Sequence, residues 1–350
     1  GLIGYTYRTI LDNCETTGRI NSTASQIGGF IGYQYYGKVK NCHSNMSVSG
    51  ASSVGGISGR ADYDFEMVDT YFDGTIQTTG GNVGGLVGYT NCGSNDESMR
   101  FTRCYAKWDS DNTISGSQIG GLIGCLYTYN FYATDCYAEC NLKSNSGYIG
   151  GLVGYEAYAR VQHLDNCYFK GNIESNGQYI GGLMGDNCNY GDYVMNNCYV
   201  VCDHIIGSSN VGGLIGYGGF NINNCLGDVK NIESKGQYAG GLIGYMSNNC
   251  RISQSCAKFD TLQAPGGYVG GLVNYVSGGS VHDCCVIGGE IITQNAGSYA
   301  YAAGLVGCNY FYDNVYNSYT TAKVTSPGGA SGKLIGSSGE NRIFSCFTTC

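Results

Sequence analysis

The chain is poor in charge and proline and has no basic run. Charged residues make up 13% of its 350 residues, the net charge is −8, and there are only 2 prolines. Nucleic-acid binding needs a basic stripe that neutralises phosphates, so we expect no nucleic-acid partner. Glycine, asparagine or serine interrupts every apolar run before it reaches the about 18 residues of a membrane helix, so we expect no membrane span.

Motifs that carry chemistry are also missing. There is no Gly-x-Ser-x-Gly elbow leading from a strand into a helix, no His-Glu-x-x-His motif and no phosphate loop. The 4 histidines stand at unrelated places, and no Cys-x-x-Cys spacing occurs. We therefore expect that the protein is not an enzyme and that it needs no metal or cofactor.

Glycine, tyrosine and cysteine are abundant, with 59, 32 and 19 residues, and the glycines mark an internal repeat. The pattern Gly-Gly-Leu-(Ile/Val)-Gly-Tyr occurs in full at 84–89, 150–155, 212–217 and 240–245. With degenerate copies there are twelve, spaced by about 29 residues on average. The repeat predicts a single domain over 1–350 with incomplete first and last copies, and we expect a processed or partial product.

Each repeat has three short parts that favour strands. The first is the glycine strand, the second is an apolar-x-Asn-Cys-Tyr element such as 164–168, and the third is a β-branched run such as 74–78. Ile, Val, Thr and Tyr favour strands, and no segment shows a helical period. The sequence therefore predicts an all-β fold, a β-solenoid similar to a parallel β-helix, with about 12 coils of about 29 residues and three short strands per coil.

The third position of the glycine motif is apolar throughout the chain. It is Leu or Phe in eleven copies, and Ile57 is the exception. This Gly-Leu-apolar-Gly core resembles the GLUG-motif repeats of secreted and cell-surface proteins, which include bacterial adhesins and protist surface proteins. The resemblance implies an extracellular location and an adhesive or stalk-like role. It implies no catalytic residues, because the motif contains none.

The leucine of this motif has two possible orientations. In a straight strand, Leu86 would point away from Val83 and Val87, and the leucines would form an exposed stripe suited to assembly. If the chain bends at the glycine pair, which we favour, leucine and valine both enter the core. The candidate assembly stripe is Leu86, Leu122, Leu152, Leu183, Leu214, Leu242 and Leu272.

Ten cysteines occupy the Cys position of the second element of the repeat. They should form a column, because equivalent residues of successive coils lie one above another. They are Cys14, Cys42, Cys104, Cys136, Cys167, Cys198, Cys225, Cys256, Cys284 and Cys346. We expect most of this column to be buried thiols that pack as small apolar side chains. A disulfide is expected among the other cysteines, with Cys92 and Cys125 as the candidate pair. Asn or Asp before the column favours a left-handed turn and a ladder of amides.

Aromatic residues concentrate in the variable loops that follow the glycine strands. Such rings suit contact with protein or with sugar rings, and they can equally fold back on the solenoid. The candidate contact residues are Tyr35, Tyr36, Tyr127, Tyr129, Phe131, Tyr132, Tyr190, Tyr193, Tyr310, Phe311 and Tyr312. Two sequons place possible N-glycosylation at Asn21 and Asn45.

Two functions fit these features. The first is a non-enzymatic extracellular structural repeat protein, either a segment of a surface fibre or the subunit of a filament that self-associates head to tail or laterally. The second is an adhesin-type binding module that contacts glycan or protein through the tyrosine-rich loop edge. A carbohydrate-active β-helix enzyme would need clustered Asp, Arg or Lys on adjacent coils, and the low charge content argues against it.

Overall fold

A computed structural model of the protein shows strands and no helix among the residues it describes, which confirms the all-β prediction. The chain forms two compact units. The first consists of residues 1–172 and 187–192, and the second of residues 173–186 and 193–350. The described residues are 1–94, 96–109, 114–145, 147–187, 191–247, 250–276, 278–295, 300–309, 314–327, 330–339 and 342–349.

The first unit is built from short parallel strands. They are β1 (Ile3–Asp12), β2 (Glu15–Asn21), β3 (Ser25–Gly28), β4 (Ile31–Lys40), β5 (His43–Gly50), β6 (Ser52–Gly55), β7 (Ser58–Val68), β8 (Tyr71–Thr78), β9 (Asn82–Gly84), β10 (Val87–Cys92), β11 (Met99–Thr102), β12 (Tyr105–Asp109), β13 (Gln118–Gly120), β14 (Ile123–Thr128), β15 (Asn130–Thr134), β16 (Tyr137–Cys140), β17 (Leu142–Ser144), β18 (Tyr148–Gly150), β19 (Val153–Ala157), β20 (Val161–Asp165) and β21 (Tyr168–Lys170).

The second unit is also built from short parallel strands, except that Asn187 and Asp192, in β24 and β25, belong to the first unit. Its strands are β22 (Ile173–Ser175), β23 (Gln178–Gly181), β24 (Met184–Asn187), β25 (Asp192–Asn196), β26 (Tyr199–Gly207), β27 (Ser209–Gly212), β28 (Ile215–Gly218), β29 (Asn221–Asn223), β30 (Leu226–Ser234), β31 (Tyr238–Gly240), β32 (Ile243–Met246), β33 (Cys250–Ser253), β34 (Cys256–Gln263), β35 (Tyr268–Gly270), β36 (Val273–Val276), β37 (Gly279–His282), β38 (Cys285–Ile292), β39 (Tyr301–Ala303), β40 (Val306–Asn309), β41 (Asn314–Tyr316), β42 (Tyr319–Thr320), β43 (Lys323–Thr325), β44 (Ala330–Gly332), β45 (Ile335–Ser338), β46 (Arg342–Phe344) and β47 (Phe347–Thr348).

The strands of each unit fall into three parallel sheets, so each unit is a β-solenoid. In the coil formed by β9 to β12, sheet C contributes β9, sheet A contributes β10 and β11, and sheet B contributes β12. Sheet C has five strands in the first unit and six in the second, which gives about eleven turns. The prediction of about 12 coils is one higher, because the first motif copy at residues 1–5 has no sheet C strand before it.

The glycine pair is a corner between sheets C and A. Strand β9 ends at Gly84, and β10 begins at Val87 after a bend. Val83, Leu86 and Val87 are all fully buried. A Cβ on Gly85 would lie 2.2 Å from the Gly121 carbonyl oxygen of the next coil, so the corner can stack this closely only with glycine.

The exposed-stripe alternative for the leucines is therefore wrong. The bend turns the leucine inward, where it packs in the core instead of facing solvent. At most 2% of each side chain is exposed for Leu86, Leu122, Leu152, Leu183, Leu214, Leu242 and Leu272.

The corner between sheets A and B is made by the residue before the cysteine column. Asn41, Asp135 and Asn166 have left-handed φ angles of 52°, 55° and 55°, which asparagine and aspartate tolerate better than most residues. The amide Nδ2 of Asn166 donates to Oδ1 of Asp135 at 3.1 Å. The predicted left-handed turn and side-chain ladder are confirmed at these positions.

Candidate functional site

A group of exposed and half-exposed aromatic rings lies on the outer side of sheet A in the first unit. We call it the tyrosine cluster, and its members are Tyr5, Tyr7, Tyr33, Tyr35, Tyr36 and Tyr63. Left-handed φ angles of 53° at Tyr36 and 64° at Tyr63 interrupt the alternation of β4 and β7. The register shifts between Tyr35 and Gly37, so two consecutive tyrosines leave the core on the same side.

The rings of the cluster contact one another across three coils. Ring centroids lie 5.8 Å apart for Tyr7 and Tyr35, 4.4 Å for Tyr35 and Tyr63, and 4.9 Å for Tyr36 and Tyr63. The Arg8 guanidinium lies 5.3 Å from the ring centres of both Tyr7 and Tyr36. Mutual contact of this kind holds large rings in place, so the cluster is a preformed surface.

Buried charges anchor the cluster to the sheet. The Tyr33 hydroxyl donates to Asp62 at 2.7 Å, and Arg60 donates to the same carboxylate through Nε at 2.9 Å. Asp62 is only 2% exposed, so its charge is balanced by this pair. Burial and the bond to Asp62 both raise the pKa of Tyr33. Tyr33 is therefore a neutral hydrogen-bond donor at physiological pH.

A groove of 440 Å³ runs beside the cluster. Arg8, Tyr36, Lys38, Glu66 and Arg100 are among its lining residues. Lys38 forms an ion pair with Glu66, and Tyr36 donates to Glu97 at 3.0 Å, which raises the pKa of its phenol. The groove thus combines cations, acids and an aromatic wall, which are the groups that bind polar partners.

Three other predicted contact residues are half-exposed in the first unit. The Tyr127 ring lies 4.8 Å from the Tyr158 ring, and Arg160 lies 5.5 Å from the Tyr129 ring centre. Arg100 lies 4.3 Å from the ring centre of Tyr132. These tyrosines remain candidates for a partner contact.

Two of the predicted contact residues are in the core, and for them the prediction is wrong. Phe131 is 1% exposed and packs edge-to-face at 5.8 Å on Phe101 of the preceding coil. Tyr193 is 2% exposed and its ring lies 5.5 Å from Phe220. Strand alternation turns both inward. Tyr190, Tyr310, Phe311 and Tyr312 lie outside the described residues.

A second aromatic feature, which was not predicted from the sequence, lies on sheet B of the first unit. Tyr71, Tyr105, Tyr137 and Tyr168 stack face to face with centroid separations of 4.6, 4.8 and 4.5 Å. Each stands one residue after the cysteine column or its substitute, so the Tyr of the Asn-Cys-Tyr element was the available signal. Because the rings cover one another's faces, the stack stabilises the sheet and offers a partner mainly ring edges and hydroxyls.

The cysteine column is a buried structural feature. Cys42 and Cys104 are fully buried thiols, and burial raises the pKa of Cys42. The Cys104 amide donates to Sγ of Cys136 at 3.5 Å. The placement of Cys256 in this column is wrong, because Ser255 takes the position and accepts the Cys225 amide at 3.0 Å.

The predicted bridge between Cys92 and Cys125 is absent. Cys92 is a free thiol that pairs in register with Thr128, whereas Cys125 pairs with Tyr89, three residues earlier in β10. A disulfide instead joins Cys256 to Cys285, which are direct partners in β34 and β38. Their Cα atoms are 4.6 Å apart, within the range that a disulfide spans.

Asn21 and Asn45 are both exposed on sheet B of the first unit. Their side chains are accessible to a modifying enzyme, and glycosylation at either site stays a prediction.

In the described part of the chain, no group of three or more His, Cys, Asp or Glu side chains could hold a metal ion. These described residues also include no helix that is long and apolar enough to cross a membrane. Charged residues are paired across neighbouring coils, as in the 2.6 Å contact of Arg103 with Asp69. Such exposed pairs contribute little to stability and are common on strand surfaces.

Comparison with known proteins gives two matches. The chain is 28% identical to halomucin of Haloquadratum walsbyi over 163 residues, which cover 42% of this chain and 2% of halomucin. The chain thus spans only a small part of the length of this relative. No solved structure matches this chain. Residues 23–49 match the family model described as the GLUG motif, so the resemblance to GLUG-motif repeats is confirmed there, and the chain carries a GLUG repeat within a β-solenoid.

Proposed function

We propose that this chain is a non-enzymatic extracellular structural repeat protein, either a segment of a surface fibre or the subunit of a filament assembled end to end. The similarity to halomucin and the GLUG motif support a cell-surface location. The observation that carries the structural role is the parallel stacking of successive coils, which makes the two sides of each coil complementary to each other.

The first coil exposes a residue whose equivalents are buried. Leu2 occupies the third position of the glycine motif and is 59% exposed, whereas Phe30, Ile57 and Leu86 at this position are fully buried. One further coil stacked on β1 would cover Leu2. Burial of such a side chain contributes about 2 kcal/mol.

The last coil of the second unit shows the same feature. Ile343 in β46 pairs with Val315 in β41, yet Ile343 is 45% exposed and Val315 is 1% exposed. Strand pairs are parallel at both ends of the chain, so the two sides of a coil are complementary to each other and not to themselves. A head-to-tail contact between copies would therefore use the same pairing that joins coils within the chain, and such contacts propagate into filaments.

Electron microscopy and sedimentation velocity of the purified chain test this proposal. We expect filaments or a ladder of oligomers, and we expect Leu2→Lys and Ile343→Lys each to reduce the chain to monomers by placing a charge at the contact. Ile287→Lys is the matched control, because Ile287 is also 45% exposed but lies in a strand with neighbours on both sides. Monodisperse wild-type monomers at high concentration would refute the filament and leave the fibre segment.

The tyrosine cluster supports a second function, an adhesin-type contact with glycan or protein. Asp62 and Arg60 hold its Tyr33 ring, and its Tyr36 ring borders an open groove, so a partner would meet a preordered surface. We expect the double change Tyr35→Ala and Tyr36→Ala to abolish attachment to glycan-coated or cell surfaces. Tyr71→Ala on sheet B is the control and should leave attachment intact. Equal attachment by both variants would contradict this function.

A further inference from the structure

The outer side of sheet A in the second unit carries a separate, polar groove of 720 Å³. It follows β25, β29, β33, β37 and β41, and it lies apart in sequence from the tyrosine cluster. Its polar lining includes Asn196, Asn221, Asn223, Arg251, Ser280 and Asn314.

Strand alternation explains why this surface is polar. Ile222, Ile252 and Val281 are buried in register with one another, so the residues on either side of each point outward. Small residues at the centre of this surface leave it recessed, which forms the groove. At Gly279 a Cβ would lie 2.0 Å from the Cys250 carbonyl oxygen, so no side chain rises there.

The groove presents mainly hydrogen-bond donors. Oδ1 of Asn221 accepts from the Arg251 amide at 3.0 Å, and Oδ1 of Asn223 accepts from the Ser253 hydroxyl at 3.1 Å. These contacts use the amide oxygens, so the Nδ2 groups of both asparagines are the donors that a ligand would use. In the described part of the chain, the Arg251 guanidinium has no ion-pair partner.

The charge of the groove narrows the class of ligand. Arg251 is the one charged residue among the described residues that line the groove, and none of these residues is acidic. A single cation on a chain of net charge −8 does not suit a nucleic acid or another dense polyanion. Several amide and hydroxyl groups around one guanidinium suit a chain of hydroxyl groups with an isolated carboxylate.

An aromatic column continues the groove on one side. Ser253 pairs in register with His282, and His282 with Tyr316. The His282 and Tyr316 rings stack at 4.8 Å, and Tyr316 and Phe344 at 5.0 Å. Because the rings cover one another's faces, the column bounds that side of the surface with ring edges and the Tyr316 hydroxyl.

We propose that this groove binds an extended oligosaccharide that carries a carboxylate, as uronic acids do. The carboxylate pairs with Arg251, and the sugar hydroxyls accept from Asn221 and Asn223. The coil spacing of about 4.8 Å is close to the length of one sugar residue, so a chain lying across the coils meets equivalent groups repeatedly. This site does not depend on end-to-end stacking, and it is independent of the tyrosine cluster.

Isothermal titration calorimetry on the whole chain tests the site with three hexasaccharides: unsulfated chondroitin and hyaluronan, in which every second sugar carries a carboxylate, and neutral maltohexaose. We expect an acidic hexasaccharide to bind and maltohexaose to bind at least about tenfold more weakly. Ser280→Trp fills the groove and Arg251→Met removes its charge, and each should weaken acidic-sugar binding at least about tenfold. Ser49→Trp and Arg19→Met are matched controls on sheet B of the first unit and should bind normally.

Three outcomes would overturn the proposal. No heat with any of the three sugars at about 10 mM would exclude a useful affinity. Binding unchanged in both Ser280→Trp and Arg251→Met would place the ligand elsewhere. Equal affinity for maltohexaose and the acidic sugars would exclude the carboxylate contact. All four substituted side chains are outside the core, so a native circular dichroism spectrum is expected for each variant.

Discussion

Replacing Asp186 by asparagine tests how much folding stability is lost by burying a carboxylate on sheet A of the second unit. Asp186 in β24 pairs with Tyr217, at a position that is Tyr245 and Tyr275 in later coils. Its side chain is 5% exposed, and Oδ1 has no hydrogen-bond partner in the described structure. Burial raises the pKa of Asp186 to about 7 from its usual 3.8.

The raised pKa fixes the direction of the pH effect. Below about pH 4 the acid is protonated in both states, and its contribution to stability is fully present. Between about pH 4 and about pH 7 the unfolded chain loses the proton while the folded chain keeps it, so stability falls as the pH rises. Above about pH 7 the loss is complete. A shift of about three pKa units corresponds to about 4 kcal/mol.

An asparagine side chain at this position would keep the shape of the aspartate but cannot ionise. We expect Asp186→Asn to match the wild type near pH 4 and to be more stable by up to about 4 kcal/mol near pH 8. Repeat folds can open locally, so the measurement is hydrogen exchange of peptides covering β24 and β28. Exchange in the variant should be slower by up to about a thousandfold near pH 8, which is the same free energy expressed as a rate.

The control is Asp203→Asn, because Asp203 is exposed and its pKa is lowered by hydrogen bonding to Lys230. This variant should gain no stability at either pH. If Asp186→Asn and the wild type exchange equally at the higher pH, the carboxylate is solvated in solution and the reasoning from its burial is wrong.

Three further predictions concern the packing of the coils. Gly88→Ala should cost about 3 kcal/mol, because its Cβ would lie 2.5 Å from the Ser53 carbonyl carbon, whereas Gly93→Ala, with nothing within 4 Å, should be neutral in thermal unfolding. Leu86→Ala should cost about 3 kcal/mol in the same assay, since the side chain is fully buried. Peptide mapping without reduction should recover Cys256 linked to Cys285, and reduction should lower local stability by about 3 kcal/mol.

The sequence was sufficient to predict the solenoid because the repeated residues meet steric and backbone requirements of each coil. Glycine at the corner admits close stacking, and asparagine or aspartate admits the left-handed turn before the cysteine column. Both are local requirements that a single sequence displays. The orientation of Leu86 was harder, since strand alternation and a corner predict opposite sides and only the position of the bend decides between them.

The wrong predictions about the cysteines came from misassigned strand register. In this repeat Gln254 replaces the usual Asn or Asp, and Ser255 replaces the column cysteine. Cys256 was therefore aligned with the column, although it stands one residue later. Cys92 and Cys125 stand near each other in the aligned repeats but three register positions apart in β10 and β14. The polar groove was not predicted, because its residues share no motif and come together only through the pairing of the coils.

The uniform parallel pairing of the coils also constrains how such a gene can change. Every described boundary between coils within a unit has the same polarity, so loss or duplication of one complete turn joins two surfaces that already match. A change of a few residues within a strand would instead displace the glycine corner, the asparagine corner and the core leucine together. Insertions are tolerated between the two sheet A strands of a coil, as between Cys92 and Met99. Lineages should therefore differ in whole turns and in loop length, and seldom in strand length.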